Sequence, residues 1–88
     1  MSVRISIITV CSNSEKHIER AIKSVIEQTY DNVEYIVVDN ASTDRTRTII
    51  QKYASCIDHL ICEPDYGISD AYNKGIRVAS GELIGVVN

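Results

Sequence analysis

The chain has 88 residues, of which 44% are hydrophobic, and a formal net charge of −3. This length allows one small domain, and the clustered apolar residues exclude a disordered chain. The acidic balance argues against a nucleic-acid partner, because neutralising phosphate groups requires a basic surface.

The first predicted unit is a strand followed by a helix. Residues 3–10 are rich in β-branched side chains and are bounded by polar ones, which is typical of a strand. Ser12 with Glu15 three residues later fits a capping box, although Asn13 or Ser14 could cap the helix instead. One apolar helical face then runs to about residue 28, through Ile18, Ala21, Ile22, Val25 and Ile26.

The second strand is a β-branched run over 33–39 that ends abruptly at Asp39 and Asn40. The sequence Ser42-Thr43-Asp44 follows and can begin a helix. This order is typical of a buried parallel strand whose carboxyl end carries a carboxylate to the rim of the sheet. Ligands of open α/β sheets bind outside the carboxyl ends of the strands, so we expect Asp39 at a ligand site.

The second half of the chain continues the alternation. It predicts a helix over 43–53, a strand over 57–62, a helix over 68–79 and a strand over 82–87. Pro64 and Gly67 mark a loop between the third strand and the third helix, and Gly81 stops that helix. The side chains expected on the inner faces of these two helices are Ile49, Ile50, Tyr53, Ile68, Ala71, Tyr72, Ile76 and Ala79.

Four strands alternating with three helices predict an α/β fold with a parallel sheet and helices on both faces. We therefore expect a Rossmann-like three-layer α/β/α half-domain that occupies residues 1–88 as a single domain. Three loops, at 11–15, 39–44 and 63–67, leave the carboxyl ends of strands and should meet on one rim. Asp39 could accept hydrogen bonds there from a base or ribose, or could instead cap a helix or order its loop.

Other polar residues near this rim are weaker candidates. Thr9, Ser12 and Asn13 could contact a ligand, although strand ends and helix caps favour the same residue types. Cys11 lies beside them, where a small half-buried apolar side chain is the simpler interpretation. Asp70 and Lys74 are spaced i, i+4 on a helix that begins at the rim, so they could form a surface ion pair or serve the site.

Several kinds of site are not predicted. The three cysteines contain no CxxC pair, and His17 and His59 lack metal-ligand spacing, so we expect neither a disulfide scaffold nor a metal site. No GxGxxG motif follows the first strand, and no P-loop motif is present. No catalytic triad can be assembled, so no catalytic residue is assigned. The apolar stretches fit neither a signal peptide nor a membrane span, and the expected location is the cytoplasm.

Five segments together have a familiar order: ISIITV at 5–10 with Asn13 and Glu15, SVI at 24–26 with QTY at 28–30, EYIVVDNASTDRT at 34–46, EPDYGISDAYNKGI at 63–76 and ASGE at 79–82. They resemble the family 2 nucleotide-sugar glycosyltransferases over nearly the whole chain. The resemblance implies a GT-A fold, in which a Rossmann-like half binds the donor nucleotide and a second half binds the acceptor. Only the nucleotide-binding half is represented here.

The resemblance also implies roles for individual residues. Thr9 and its neighbours would line the base pocket with Glu15 nearby, Asp39 would contact uracil or its equivalent, and Asp70 and Lys74 would lie on the helix that closes the nucleotide side. Val10 and Ser12 replace the proline and tyrosine frequent in the family, so aromatic stacking from that loop is not expected. The complete set of implied donor-binding residues is Thr9, Cys11, Ser12, Asn13, Glu15, Asp39, Asn40, Asp70 and Lys74.

The end of the chain departs from the family pattern. Asn88 stands immediately before the position of the family's Asp-x-Asp motif, which holds Mg²⁺ or Mn²⁺, and the later general base is missing as well. An inverting transfer needs a base for the acceptor hydroxyl and a cation for the diphosphate. We therefore expect an inverting transferase of polysaccharide or cell-surface glycan synthesis, with a UDP-sugar as favoured donor and a saccharide or lipid-linked acceptor. The 88 residues alone should be inactive.

Two alternative functions belong to other classes. The chain could be a stand-alone nucleotide-binding or assembly module without catalysis. A sugar nucleotidyltransferase is disfavoured, because residues 11–15 contain no glycine and no basic residue. The family's sheet order, third-second-first-fourth, would leave the fourth strand on an open edge, so a homo-oligomer is expected. A lipid-linked acceptor would require a peripheral position at the cytoplasmic face of the membrane.

Overall fold

A computed structural model describes residues 3–88, and its elements follow the predicted order. The strands are β1 (Ile5–Cys11), β2 (Val33–Asp39), β3 (His59–Cys62) and β4 (Leu83–Val86); the helices are α1 (Ile18–Ile26), α2 (Thr46–Lys52) and α3 (Ile68–Val78), with a 3₁₀ turn at Ala54–Cys56. All neighbouring strands pair in parallel, in the order β3-β2-β1-β4. The Rossmann-like α/β fold and the predicted sheet order are confirmed.

Alternation along β1 and β2 divides the apolar side chains between two cores. Tyr35 and Val37 face α1 and α2, where they pack with Ile22 and Ile50. Ile8, Ile36 and Val38 face the other way and pack against Ala71 of α3. Since successive side chains of a strand point to opposite faces, this separation produces the three layers.

The predicted inner face of α3 is partly wrong. Tyr72 and Ala79 pack against the sheet as expected, but Ile68 is 64% exposed and Ile76 is 47% exposed. The helix instead meets the sheet through Ala71 and Gly75, and a Cβ on Gly75 would lie 2.9 Å from Ile8 Cγ2. Two small residues bring the helix axis close to the sheet, so the larger side chains beside them remain outside the contact.

The predicted start of α3 at Ile68 is confirmed, but the predicted starts of α1 and α2 are wrong. α1 begins at Ile18, so Ser12 and Glu15 form no capping box. α2 begins at Thr46 instead of residue 43. The physical reason is that residues 13–15 and 42–44 hydrogen-bond to one another across the two loops, which keeps both segments out of the helices that follow them. Ile26 was also predicted on the apolar face of α1. It lies at the last position of the helix and is 39% exposed, so it does not belong to the buried face.

A buried carboxylate ties the amino end of the sheet together. Glu34 is 4% exposed and accepts hydrogen bonds from Ser6 Oγ at 2.8 Å, Ser80 N at 2.8 Å and Ser80 Oγ at 2.9 Å. His59 Nε2 lies 3.2 Å from its Oε2, and Arg4 lies 3.5 Å from the same oxygen. We call these five residues the foot cluster, because they lie at the end of the sheet opposite the three predicted loops.

The foot cluster lowers the pKa of Glu34. Desolvation by burial alone would raise it, but the N–H and hydroxyl of Ser80, the hydroxyl of Ser6 and the ring of His59 outweigh that effect. The pKa falls to about 2, from an ordinary value of 4.5. The carboxylate is therefore charged at neutral pH and fixes the junction between α3 and β4.

None of the helices within residues 3–88 combines the length and the apolar composition needed to cross a lipid bilayer.

Candidate functional site

Asn13 joins the loop after β1 to the loop after β2. Its Oδ1 accepts hydrogen bonds from the backbone N–H groups of Thr43, at 2.8 Å, and Asp44, at 3.3 Å. Its own N–H donates to Ser42 Oγ at 2.8 Å. Asn13 has a φ of 45°, and asparagine accepts this left-handed conformation better than most residues. Asn13 therefore acts as a fixed bridge between the two loops.

A second pair of contacts crosses the same gap. Ser14 N donates to Thr46 Oγ1 at 2.7 Å, and Glu15 N donates to Asp44 Oδ2 at 3.2 Å. The amide groups that precede α1 are thus satisfied by the start of α2. The side chain of Glu15 is exposed beside this junction.

The loop after β3 closes the group. Asp65 N donates to Asn40 Oδ1 at 3.0 Å, and Glu63 N donates to the carbonyl oxygen of Asp39 at 3.0 Å. Asn40 N in turn donates to the carbonyl of Cys11 at 2.9 Å. The three loops therefore form one hydrogen-bonded rim, as the sequence predicted.

Lys74 and Asp70 hold the third loop in place. Lys74 Nζ donates to the Pro64 carbonyl at 2.6 Å and lies 3.1 Å from Glu63 Oε1 and 3.6 Å from Asp70 Oδ2. Tyr66 N donates to Asp70 Oδ2 at 3.1 Å. Desolvation would lower the pKa of Lys74, but the contacts with Glu63 and Asp70 outweigh it and raise that pKa. The predicted i, i+4 pair is present, and it orders the rim.

Asp39 lies beneath the rim and is fully buried. Its Oδ1 accepts a hydrogen bond from the Ser42 hydroxyl, and Ser42 N lies 3.3 Å from its Oδ2. Cys11 Sγ lies 3.6 Å from Oδ1. Burial, reinforced by the Asp39 charge, raises the pKa of the Cys11 thiol to about 12, so the thiol stays protonated. Asp39 here orders its own loop, one of the two roles the sequence allowed.

Thr9 is also inaccessible, because it is 1% exposed and its Oγ1 lies 2.8 Å from the Tyr35 hydroxyl. Both Thr9 and Asp39 occupy alternate positions that face α1 and α2. Their neighbours Val10 and Asn40 face α3 instead. Because successive side chains of an extended segment point to opposite faces, the accessible polar group of this loop belongs to Asn40 and not to Asp39.

A pocket of about 290 Å³ opens between the rim and the first turn of α3. Val10, Ile68 and Ala71 give it apolar walls, while Asn40 and Asp65 bring polar groups to it. Its full lining is Val10, Cys11, Ser12, Asn40, Asp65, Gly67, Ile68 and Ala71. A largely apolar cavity with a few converging polar groups is the usual form of a small-molecule site.

The pocket contains some of the predicted site residues and omits others. Cys11, Ser12 and Asn40 line it, whereas the remaining predicted residues lie below the rim or support its loops. Asp65 was not singled out from the sequence, although its loop was. Its position one residue after the only proline, in a loop that leaves the carboxyl end of a strand, was the available signal.

The residues that the structure describes do not fit the metal that the resemblance implies. No group of three or more His, Cys, Asp or Glu side chains within 3–88 is arranged to hold a metal ion. No chemical step is therefore assigned to a metal held by these residues.

Known proteins share both the sequence pattern and the fold. GlyG of Streptococcus pneumoniae serotype 4, a glycosyltransferase, is 34% identical over all of this chain and 30% of its own length. TuaG of Bacillus subtilis, whose name refers to teichuronic acid biosynthesis, is 35% identical over 91% of this chain and 33% of its own. The chain thus spans about a third of the length of these relatives.

Two solved structures superpose closely. The mannosyltransferase PcManGT of Pyrobaculum calidifontis, in complex with GDP-Man and Mn²⁺, gives a TM-score of 0.85 at 30% identity over 96% of this chain and 26% of its own. TarS 1–349 of S. aureus, in complex with UDP-GlcNAc, gives 0.83 at 28% identity over 94% and 25%. A sequence model of glycosyl transferase family 2 matches residues 6–88. The chain belongs to glycosyl transferase family 2.

Proposed function

We propose that these 88 residues form the donor-nucleotide half of an inverting glycosyltransferase. The observation that carries the proposal is the pocket at the hydrogen-bonded rim of a chain that belongs to this family. The whole protein would move a sugar from a nucleotide diphosphate donor to a saccharide or lipid-linked acceptor, in polysaccharide or cell-surface glycan synthesis. A UDP-sugar is the favoured donor, in keeping with the complex of TarS.

The predicted site residues divide into two roles in this proposal. Cys11, Ser12 and Asn40 line the pocket and would contact the donor. The others would keep the loops in their positions around it, because their side chains, or in Glu15 the backbone N–H, are engaged by neighbouring loops or strands. These supporting residues are Thr9, Asn13, Glu15, Asp39, Asp70 and Lys74.

Catalysis would require groups outside residues 3–88. The described side chains supply no metal site, and the pocket lining contains a single carboxylate, Asp65, one oxygen of which accepts a hydrogen bond from Gly67 N. We therefore propose that the 88-residue domain binds the donor and does not transfer the sugar by itself. Its proposed location is the cytoplasm, with peripheral contact at the cytoplasmic face of the membrane where the acceptor is lipid-linked.

A larger cavity of about 350 Å³ lies at the other end of the sheet, lined in part by Val25, Tyr30, Val33 and Asp58. It borders the amino ends of the strands. Ligands of parallel α/β sheets bind at the carboxyl ends, where the loops can vary without disturbing the sheet. The rim pocket is therefore the preferred donor site, although it is smaller.

UDP should bind the isolated chain weakly, with a Kd on the order of 1 mM, equivalent to about −4 kcal/mol. Amide NMR of the labelled chain should show shifts confined to residues 10–15, 39–44 and 63–71. AMP, which carries a single phosphate, should bind more weakly and serves as the control. Shifts around the cavity lined by Tyr30 and Asp58, or no shift with any nucleotide, would contradict the proposed site.

We also propose that the isolated chain self-associates through β4. This strand is at the edge of the sheet and pairs with β1 alone among the strands that the structure describes. Leu83, Ile84 and Val86 are 58%, 46% and 51% exposed. An apolar edge strand with unpaired backbone groups invites pairing with a second copy.

Sedimentation velocity across a concentration series should therefore show a monomer–dimer equilibrium. Ile84→Lys should shift it to monomer, because a charged side chain on an edge strand opposes pairing. Ile26→Lys is the control, since Ile26 is similarly exposed but lies at the end of α1. A monomer at every concentration would refute the proposal.

A further inference from the structure

A groove of about 580 Å³ lies between α1 and Asn88, the residue at the carboxyl end of the chain. This volume is within the range of roughly 300–1,000 Å³ that is usual for ligand sites. Val10 lines both this groove and the rim pocket, so the two cavities adjoin at the carboxyl end of β1. The proposed function assigns no ligand to this second cavity, which we call the α1 groove.

The α1 groove is basic, although the chain as a whole is acidic. The chain contains 12 aspartate and glutamate residues and has a formal net charge of −3, but no carboxylate lines the groove. Its ionisable side chains are those of Arg20 and His17. Glu19, the acidic neighbour of Arg20, is held by α2 instead, where it lies 3.0 Å from Lys52 Nζ and accepts a hydrogen bond from the Tyr53 hydroxyl.

The two basic side chains have donor groups that the fold does not use. Arg20 and His17 are exposed, and neither side chain forms a hydrogen bond or an ion pair with another group in residues 3–88. The hydroxyls of Ser14 and Ser24, which also line the groove, donate to backbone carbonyl oxygens nearby. Arginine presents five N–H donors in a rigid fork that matches the oxygens of a phosphate group. The unused donors of the groove therefore suit an anion of this kind.

We propose that the α1 groove binds the phosphate group of a phosphorylated acceptor, an inference that rests on the proposed function. The Arg20 guanidinium donates to the phosphate oxygens, and the His17 ring donates one further hydrogen bond. Val10 and Ala21 provide apolar surface for the organic group that the phosphate carries. A neutral saccharide, by contrast, would leave the charge of Arg20 without a counter-charge.

The position of the groove gives this binding a purpose. Because Val10 separates the groove from the rim pocket, an acceptor held by its phosphate lies next to the donor. The donor half would then contribute to acceptor recognition, which the family resemblance assigned to the second half alone.

Geranyl diphosphate is the probe, because it joins a diphosphate group to a short apolar chain. In an amide NMR titration of the 88-residue chain it should shift residues 14–24 and 88, with a Kd on the order of 1 mM. Geraniol, which has the same chain without the charge, should cause no shift there. Inorganic diphosphate should bind about tenfold more weakly than geranyl diphosphate, because it buries no apolar surface.

Arg20→Gln should weaken the binding of geranyl diphosphate about tenfold, because it removes a charged hydrogen-bond donor. Arg20→Lys keeps the charge but not the fork, so its loss should be smaller. Arg77→Gln is the matched control, since it removes an exposed arginine from α3 and should leave the affinity unchanged. All three variants should melt at the temperature of the unchanged chain, which separates lost binding from lost folding.

The proposal is wrong if geranyl diphosphate shifts no amide of the groove, or if Arg20→Gln binds it as tightly as the unchanged chain. Equal affinities for inorganic diphosphate and geranyl diphosphate would also overturn it, because the groove would then recognise free phosphate and not an acceptor.

UDP separates this inference from the proposed function. If UDP shifts the amides of the rim while geranyl diphosphate shifts none in the groove, the inference fails and the donor site stands. If geranyl diphosphate binds the groove but UDP shifts no amide of the rim, the proposed donor site fails, and with it the assignment of the bound phosphate to an acceptor.

Discussion

Replacing Glu34 with alanine should lower the free energy of unfolding by about 3 kcal/mol. The substitution leaves Ser6 Oγ, Ser80 N and Ser80 Oγ, which all donate to Glu34, without their buried acceptor. Ser6 is fully buried, and a buried donor without an acceptor costs about 1–3 kcal/mol. The Arg4 side chain is 41% exposed, so the loss of its ion pair with Glu34 adds little. Urea denaturation at pH 7 provides the measurement.

The pH dependence of stability distinguishes the contribution of the Glu34 charge from a non-specific loss of stability caused by the substitution. Because the folded-state pKa of Glu34 is about 2 and its ordinary value is 4.5, its stabilisation is complete above pH 4.5. It falls as the pH decreases from 4.5 and is lost near pH 2. The difference in stability between the unchanged chain and Glu34→Ala should therefore shrink over that interval.

Glu82→Ala is the matched control for Glu34→Ala. It removes the same charge from an exposed side chain whose carboxylate has no hydrogen-bond partner among residues 3–88. Its stability should change by less than about 0.5 kcal/mol. Equal losses from the two substitutions, or a Glu34 effect that is constant from pH 7 to pH 2.5, would show that the foot cluster does not stabilise the fold.

Gly81→Ala should be about as damaging, with an expected loss of about 3 kcal/mol. A Cβ on Gly81 would lie 2.6 Å from both Ser6 N and Ser6 Oγ and 2.9 Å from the Arg4 carbonyl oxygen. Two of these atoms belong to the backbone of the chain entering β1, so side-chain rotation alone cannot relieve the overlap. The shift would also break the hydrogen bond from Gly81 N to Ser6 Oγ.

Gly85→Ala supplies the comparison, because the nearest atom to its Cβ would be Ile7 Cγ1 at 3.8 Å. This is an ordinary van der Waals contact, and the strand is at the edge of the sheet. Thermal unfolding should place Gly85→Ala close to the unchanged chain and Gly81→Ala well below it. A similar melting temperature for the two variants would contradict the close packing at Gly81.

Local pattern was sufficient to predict the four strands and their parallel arrangement, whereas their order in the sheet came from the family resemblance. The bounds of β2 were predicted as 33–39 and are observed there, because a run of buried β-branched residues between polar ones has little alternative. The convergence of three loops followed from parallel topology alone. The inner face of α3 was harder to predict. Gly75 packs closely against Ile8 because it has no side chain, and a search for apolar side chains at helical spacing does not detect such a residue.

The sequence predicted which loops form the site but not which of their residues line the pocket. Helix caps were assigned within each loop, whereas the structure satisfies them from the neighbouring loop through Asn13 and Asp44. Such pairings join residues about 30 positions apart, and no local rule reports them. Asp39 was the most conspicuous residue of its loop, yet Asn40 lines the pocket, because one step along a strand reverses the face.

The polar residues of the rim fall into two groups, those that only hold the loops and those that also face the pocket. Asn13, Asp39 and Lys74 have their polar groups engaged in holding the loops, so substituting them endangers the fold. Asn40 and Asp65 each engage a single oxygen for that purpose and leave the other polar atom to the pocket. Isosteric exchange at these two positions therefore changes the polar surface of the pocket at little structural cost. The lining of the pocket can vary in this way while the three loops stay in place.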